Sequence, residues 1–215
     1  MKRIISLLMA VCLMVAICVP TATASGVSDD PIKIVNHSRS ISASQIAEIK
    51  ESVGANLVMN DGTEVAIPSV VTIEDIPTGG ISTYSLSSER QYAVSVEAAA
   101  STNKTVTDSG DQNFSGIHVS ATLNMVWTDG PGLDNVIYSI TGTKKITEGK
   151  ETWGKVQWGD GWKSALTWTQ RDVSGKGEFH YWPGVTVSCP KAQYSILMDG
   201  APWTLVLTVS SSVFQ

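Results

Sequence analysis

From Gln91 onward, apolar residues return at every second position, and no stretch repeats at helical spacing. The longest run sets Ile117, Val119, Ala121, Leu123, Met125 and Trp127 on one side. His118, Ser120, Thr122, Asn124 and Thr128 fall on the other, with Val126 the one apolar exception. A strand of this pattern offers one face to a core and one to water, as antiparallel sheets permit. Val136, Tyr138 and Ile140 repeat it, and so do Trp203, Leu205, Leu207 and Val209. Turn-forming clusters punctuate the region: Asp129-Gly130-Pro131-Gly132, Gly159-Asp160-Gly161, Ser174-Gly175-Lys176-Gly177, Pro183-Gly184 and Asp199-Gly200. Such spacing predicts an antiparallel β-sandwich of about eight to ten strands over residues 91–215.

The preceding residues read differently. Residues 25–40 are polar and aperiodic and are expected to be loose. Ser42-Ala43-Ser44-Gln45 fits a capping box, in which a Ser hydroxyl and a Gln three residues later satisfy each other's backbone donors. Ile46, Ile49 and Val53 follow at helical spacing, with Gly54 as the stop signal. Leu57-Val58-Met59, a turn at Asn60-Asp61-Gly62 and Glu64-Val65-Ala66-Ile67 predict a hairpin, and Ser69 to Ile73 a third strand. The stretch 77–90 is rich in Gly, Ser and Thr without periodicity, which marks a linker. The expected fold is therefore mainly β: a small α+β N-terminal module (25–76), a linker (77–90) and the sandwich (91–215).

Residues 1–24 are read as a secretory signal peptide. Lys2 and Arg3 precede an apolar run from Ile4 to Cys18, Pro20 breaks it, and Ala22 and Ala24 suit a peptidase cutting before Ser25. The run is shorter than the ~20 residues of a membrane-spanning helix, so no stable membrane insertion is expected after cleavage. Ile17 before Cys18 is too bulky for lipoprotein processing. The leader carries two basic residues and no acidic one, so the chain's formal charge of −5 becomes −7 once it is removed. That sign disfavours binding to nucleic acid or anionic lipid. Cys12 and Cys18 leave with the leader, and Cys189 alone cannot form an intramolecular disulfide. It lies in phase with Val185 and Val187, which predicts a buried, inert thiol.

Four stretches carry a resemblance: Val71-Thr72-Ile73-Glu74-Asp75-Ile76-Pro77, Gln91-Tyr92-Ala93-Val94, Gly161-Trp162-Lys163-Ser164-Ala165-Leu166, and Val209-Ser210-Ser211-Ser212-Val213-Phe214-Gln215. In them the chain resembles small exported proteins of clostridial, Gram-positive bacteria. The resemblance implies a bacterial, secreted protein; the group has no assigned activity, and no site residue follows from it.

Candidate chemistry concentrates on tryptophan, since all seven lie after residue 126. Trp158-Gly159-Asp160-Gly161-Trp162 reads as a hairpin with its two indoles facing across the strands. Alternation then places Val156, Trp158, Trp162, Leu166 and Trp168 on a core face. Trp153 falls on the opposite side with Lys155 and Gln157, and Trp182 shares a side with His180. Trp153, Trp182 and His180 are the candidate ligand-binding residues, because an exposed indole can stack on the C–H face of a sugar. Asp108, Asp111 and Asn113, and likewise Asp129, Asp134 and Asn135, gather oxygen ligands that calcium would accept. Neither loop has EF-hand spacing, and turns need these residue types anyway. Catalysis finds no motif: His37, His118 and His180 are not accompanied by a nucleophile elbow, a zinc spacing or a phosphate loop. The expectation is a secreted, non-enzymatic protein without cofactor that binds a glycan or another protein. The alternative is a secreted structural or antagonistic factor that self-associates through sheet edges.

Overall fold

The computed structural model describes residues 30–37, 40–77, 90–102, 116–129, 135–159, 163–167, 172–180 and 191–210. They form twelve strands and one helix. In chain order these are β1 (Ile32–Asn36), α1 (Ala43–Ser52), β2 (Gly54–Met59), β3 (Glu64–Ile67), β4 (Ser69–Pro77), β5 (Arg90–Thr102) and β6 (Ile117–Asp129). There follow β7 (Asn135–Glu148), β8 (Glu151–Gly159), β9 (Lys163–Thr167), β10 (Val173–His180), β11 (Lys191–Met198) and β12 (Trp203–Ser210). Two six-stranded sheets result, in the orders β1-β4-β5-β6-β7-β10 and β3-β2-β12-β11-β8-β9. The protein is mainly β, and among the described strands only the β1–β4 pair is parallel.

The alternation in the sequence is the alternation of burial. Ile117, Val119, Ala121, Leu123 and Met125 of β6 are buried, while His118, Ser120, Thr122, Asn124 and Val126 are half-buried. Trp203, Leu205, Leu207 and Val209 are buried in β12, and Tyr138 and Ile140 in β7. The inward residues of both sheets belong to one apolar cluster. Trp203 donates its indole N–H to Thr102 Oγ1 at 2.7 Å, joining β12 of one sheet to β5 of the other.

Two glycines set how closely the sheets approach. A Cβ on Gly142 of β7 would stand 2.8 Å from Val156 and 2.9 Å from the Tyr194 ring. One on Gly175 of β10 would stand 2.5 Å from the Trp158 indole. Glycine inside a strand marks such a close approach. Gly175-Lys176-Gly177 is therefore strand, not the expected turn, because the large ring beneath it leaves no room for a side chain.

The N-terminal segments depart most from expectation. β2 and β3 form the expected hairpin, with Val58 opposite Glu64. β2, however, also pairs with β12, and β4 pairs with β5 along nine residues. Pro68 stands between β3 and β4, where the chain passes from one sheet to the other. The pairing thus crosses the boundary expected at 77–90, and residues 32–77 hold no sheet of their own. The stretch expected to be loose contains β1, whose Ile32 and Ile34 pack against the core. Asp30 fixes its start by accepting from the Ile32 N–H at 3.1 Å and pairing with Lys50 of the helix.

α1 carries the predicted capping box: Ser42 Oγ accepts from the Gln45 N–H, and Gln45 Oε1 accepts from the Ser42 N–H at 3.0 Å. Ile49 is fully buried, and the helix packs on β12. Its C-terminal end differs from expectation. Val53 is the C-cap in extended geometry, and Gly54 opens β2 directly. Among the described residues no helix is long and apolar enough to cross a membrane.

Candidate functional site

The residue types of each sheet's outward side differ. On the first sheet, cross-strand register aligns Thr72, Ser95, Asn124, Thr141 and Ser174 in one row over five strands. Thr122 and Thr143 stand in the next row. A shallow concavity of about 610 Å³ lies over this surface, and Glu74 and Gln91 also line it. Its hydroxyls and amides follow directly from the polar half of the β6 alternation and of its neighbours.

The second sheet carries Trp153. β8 alternates so that Gly154, Val156 and Trp158 are buried while Trp153, Lys155 and Gln157 are half-buried on the other side. The expected phase of this tryptophan is the observed one. Register sets it opposite Leu197, followed across the sheet by Thr204, Val58 and Glu64. The next row is Lys155, Ser195, Val206 and Asn56. Among the described residues Trp153 is thus the first member of a mixed row whose apolar members, Leu197 and Val58, are half-buried themselves. Further along β8, β11 and β12, Gln157, Lys191, Gln193 and Thr208 line a depression of about 250 Å³. Gln193 Nε2 reaches toward Thr208 Oγ1 at 3.5 Å. Four residues of extended strand separate Trp153 from Gln157, about 13 Å. This surface combines an aromatic platform with a line of amide, hydroxyl and ammonium groups.

The other predicted residues are not brought to Trp153. His180 ends β10 in the opposite sheet, where its register partner is Asn135. Trp182 lies outside the described residues, as do Trp162, Trp168, Cys189, Asp134 and the loop bearing Asp108, Asp111 and Asn113. The side chains of Trp127, Asp129, Asn135, Val136, Leu166 and His180 lie outside the described part as well. The expected pairing of Trp158 with Trp162 is corrected by register: Trp158 stands opposite Lys163, and Val156 opposite Ala165. His37 bonds through its N–H to the Ile73 carbonyl, while register places Ile73, Val94 and Met125 in line, far along β6 from His118. Among the described residues no three His, Cys, Asp or Glu side chains gather as a metal site.

One polar cluster was missed in the sequence. Lys144 of β7 and Glu151 of β8 form an ion pair between the two sheets, with side chains only 1% and 2% exposed. Lys144 Nζ lies 5.9 Å from the centre of the Tyr194 ring. Burial, reinforced by the Glu151 and Asp172 carboxylates, pushes the Tyr194 phenol well above the ordinary tyrosine range. Glu151 Oε2 and the Tyr194 hydroxyl are buried without a hydrogen-bond partner among the described residues. The signal was present: Lys144 falls in phase with Tyr138, Ile140 and Gly142, on the side that must face the core.

Comparisons of the chain with protein-family models, with curated proteins and with solved structures find no match.

Proposed function

We propose that this chain is a secreted, non-catalytic binding protein of bacterial origin that holds an oligosaccharide on the outer side of β8 and β11. In this reading the leader is removed before Ser25, and the two sheets close as an antiparallel β-sandwich that serves as a rigid platform. The observation that carries it is Trp153, a half-buried indole whose strand continues into Gln157 beside Lys191, Gln193 and Thr208. One sugar ring stacks on the indole. Rings further along the chain place their hydroxyls against the amides and the ammonium group, over a span of about two or three sugar units at strand spacing.

Self-association through strand edges has less support. Among the described residues the edge strands β1, β3 and β9 are five, four and five residues long, and short edges are a usual protection against pairing between chains. β10 is longer, and it carries Lys176 and two glycines.

A glycan array probed with the mature chain tests the reading. The whole chain is needed, because β2 and β4 pair with strands beyond residue 90. Trp153→Ala is expected to weaken binding about tenfold or more, a loss of about 1.4 kcal/mol at the least. Asn124→Ala, on the hydroxyl-rich sheet, should leave binding unchanged. Loss of binding in Asn124→Ala with retention in Trp153→Ala would move the site to the other sheet. No binding to any glycan would remove the carbohydrate reading.

A further inference from the structure

Lys144 and Glu151 occupy an unusual position for two charged residues. Both point into the core from strands of different sheets, their Nζ and Oε1 atoms are in contact, and neither reaches solvent. Removing two ions from water costs several kcal/mol each, and is offset only when the remaining lone pairs are also satisfied. Here Glu151 Oε2 is not satisfied among the described residues. The Tyr194 ring, fully buried, walls the pair on one side, and it fits there because Gly142 has no side chain.

In water an amine and a carboxylic acid do not condense readily, since both ionise and the ions are well hydrated. A buried site withdraws that hydration. The same site holds the two groups in contact, which replaces a bimolecular encounter by a positioned one. We propose that Lys144 and Glu151 condense into a side-chain amide, an intramolecular cross-link that joins β7 of one sheet to β8 of the other.

The chemistry balances without a co-reactant. A proton passes from the Lys144 ammonium to the Glu151 carboxylate within the pair, and the freed Nζ lone pair attacks Cδ, forming the C–N bond. The C–OH bond then breaks, and the hydroxyl leaves with one amine proton as water. Nothing is oxidised or reduced. The product replaces two buried charges by one neutral amide. The inference is independent of the carbohydrate reading, since it concerns the core and not the outer surface.

Mass spectrometry of the denatured mature chain tests it. The expected mass is that of the sequence less one water molecule. Trypsin should fail to cut after Lys144 and should release a branched species joining the peptide that ends at Lys145 to Glu151–Lys155. Lys144→Met and Glu151→Leu should each restore the full sequence mass. A water loss that maps instead to Asp61-Gly62 or Asp199-Gly200, where succinimides form, overturns the proposal. So does a full-mass wild-type protein that trypsin cuts after Lys144. If neither variant folds, the peptide map of the wild-type chain decides alone.

Discussion

Trp153 and Trp158 lie on the same strand and meet opposite surroundings. Trp158 is 8% exposed and its indole lies beneath Gly175 of the other sheet, which gave up its side chain to admit it. Trp153 looks outward, half-buried, beside Lys155 and opposite Leu197. One residue type thus serves two purposes, separated by nothing more than the odd or even position along β8. A tryptophan held in the core has a partner shaped around it. The tryptophan on the outside of the sheet has neighbours but, among the described residues, no such partner.

Substitutions can break this contrast. Trp158→Ala should cost the most, about 3–5 kcal/mol, since it leaves a large cavity above Gly175; urea denaturation measures it. An equally large loss in Trp153→Ala would erase the distinction between the two sites. Gly175→Ala comes next, at about 1–3 kcal/mol, because the new Cβ must push against the indole. In a Trp158→Ala background the same change should be nearly free, and a thermodynamic cycle between the two would read that coupling directly.

An alkaline titration sharpens the picture of the core between the sheets. The Tyr194 phenol is raised in the folded chain, chiefly by burial. Its contribution to stability is therefore full below the unfolded phenol's value near 10 and falls as pH rises beyond it. The urea midpoint of the wild-type chain should drop above about pH 10, and that of Tyr194→Phe should drop less. Identical profiles would show that the hydroxyl is not held neutral by its surroundings. The smallest stability effect is expected for Trp153→Ala, within about 0.5 kcal/mol, the range usual for surface changes. That small change makes its effect on glycan binding interpretable.

What could be read in advance was whatever depends on near neighbours. The period of β6 and β12, the capping box at Ser42 and the outward phase of Trp153 are local patterns, and each is found as expected. What could not be read depends on partners distant in the chain. Ser174-Gly175-Lys176-Gly177 has the composition of a turn, and only Trp158, on another strand, explains it as a strand. β1 is too short for its alternation to stand out, and it exists because β4 offers a parallel edge. The pairing of β2 with β12 was illegible for the same reason, since nothing in residues 54–59 announces that their partner is residues 203–208. Lys144 was legible and overlooked: its phase placed it in the core, and a lone lysine there calls for an acid opposite.

The pairing of β2 with β12 also bears on how the chain comes to fold. A polypeptide is made from its N-terminal end, so β2 exists long before the strand it will bind. Until Trp203–Ser210 has been made, β2 has only the four-residue β3 beside it, and such an isolated hairpin is marginal in water. The β2–β12 pairing thus closes a loop spanning most of the described chain, the kind of distant contact that slows folding. The strands β4 to β7 of the first sheet can pair before that point, whereas the second sheet stays incomplete until the last residues of β12 arrive.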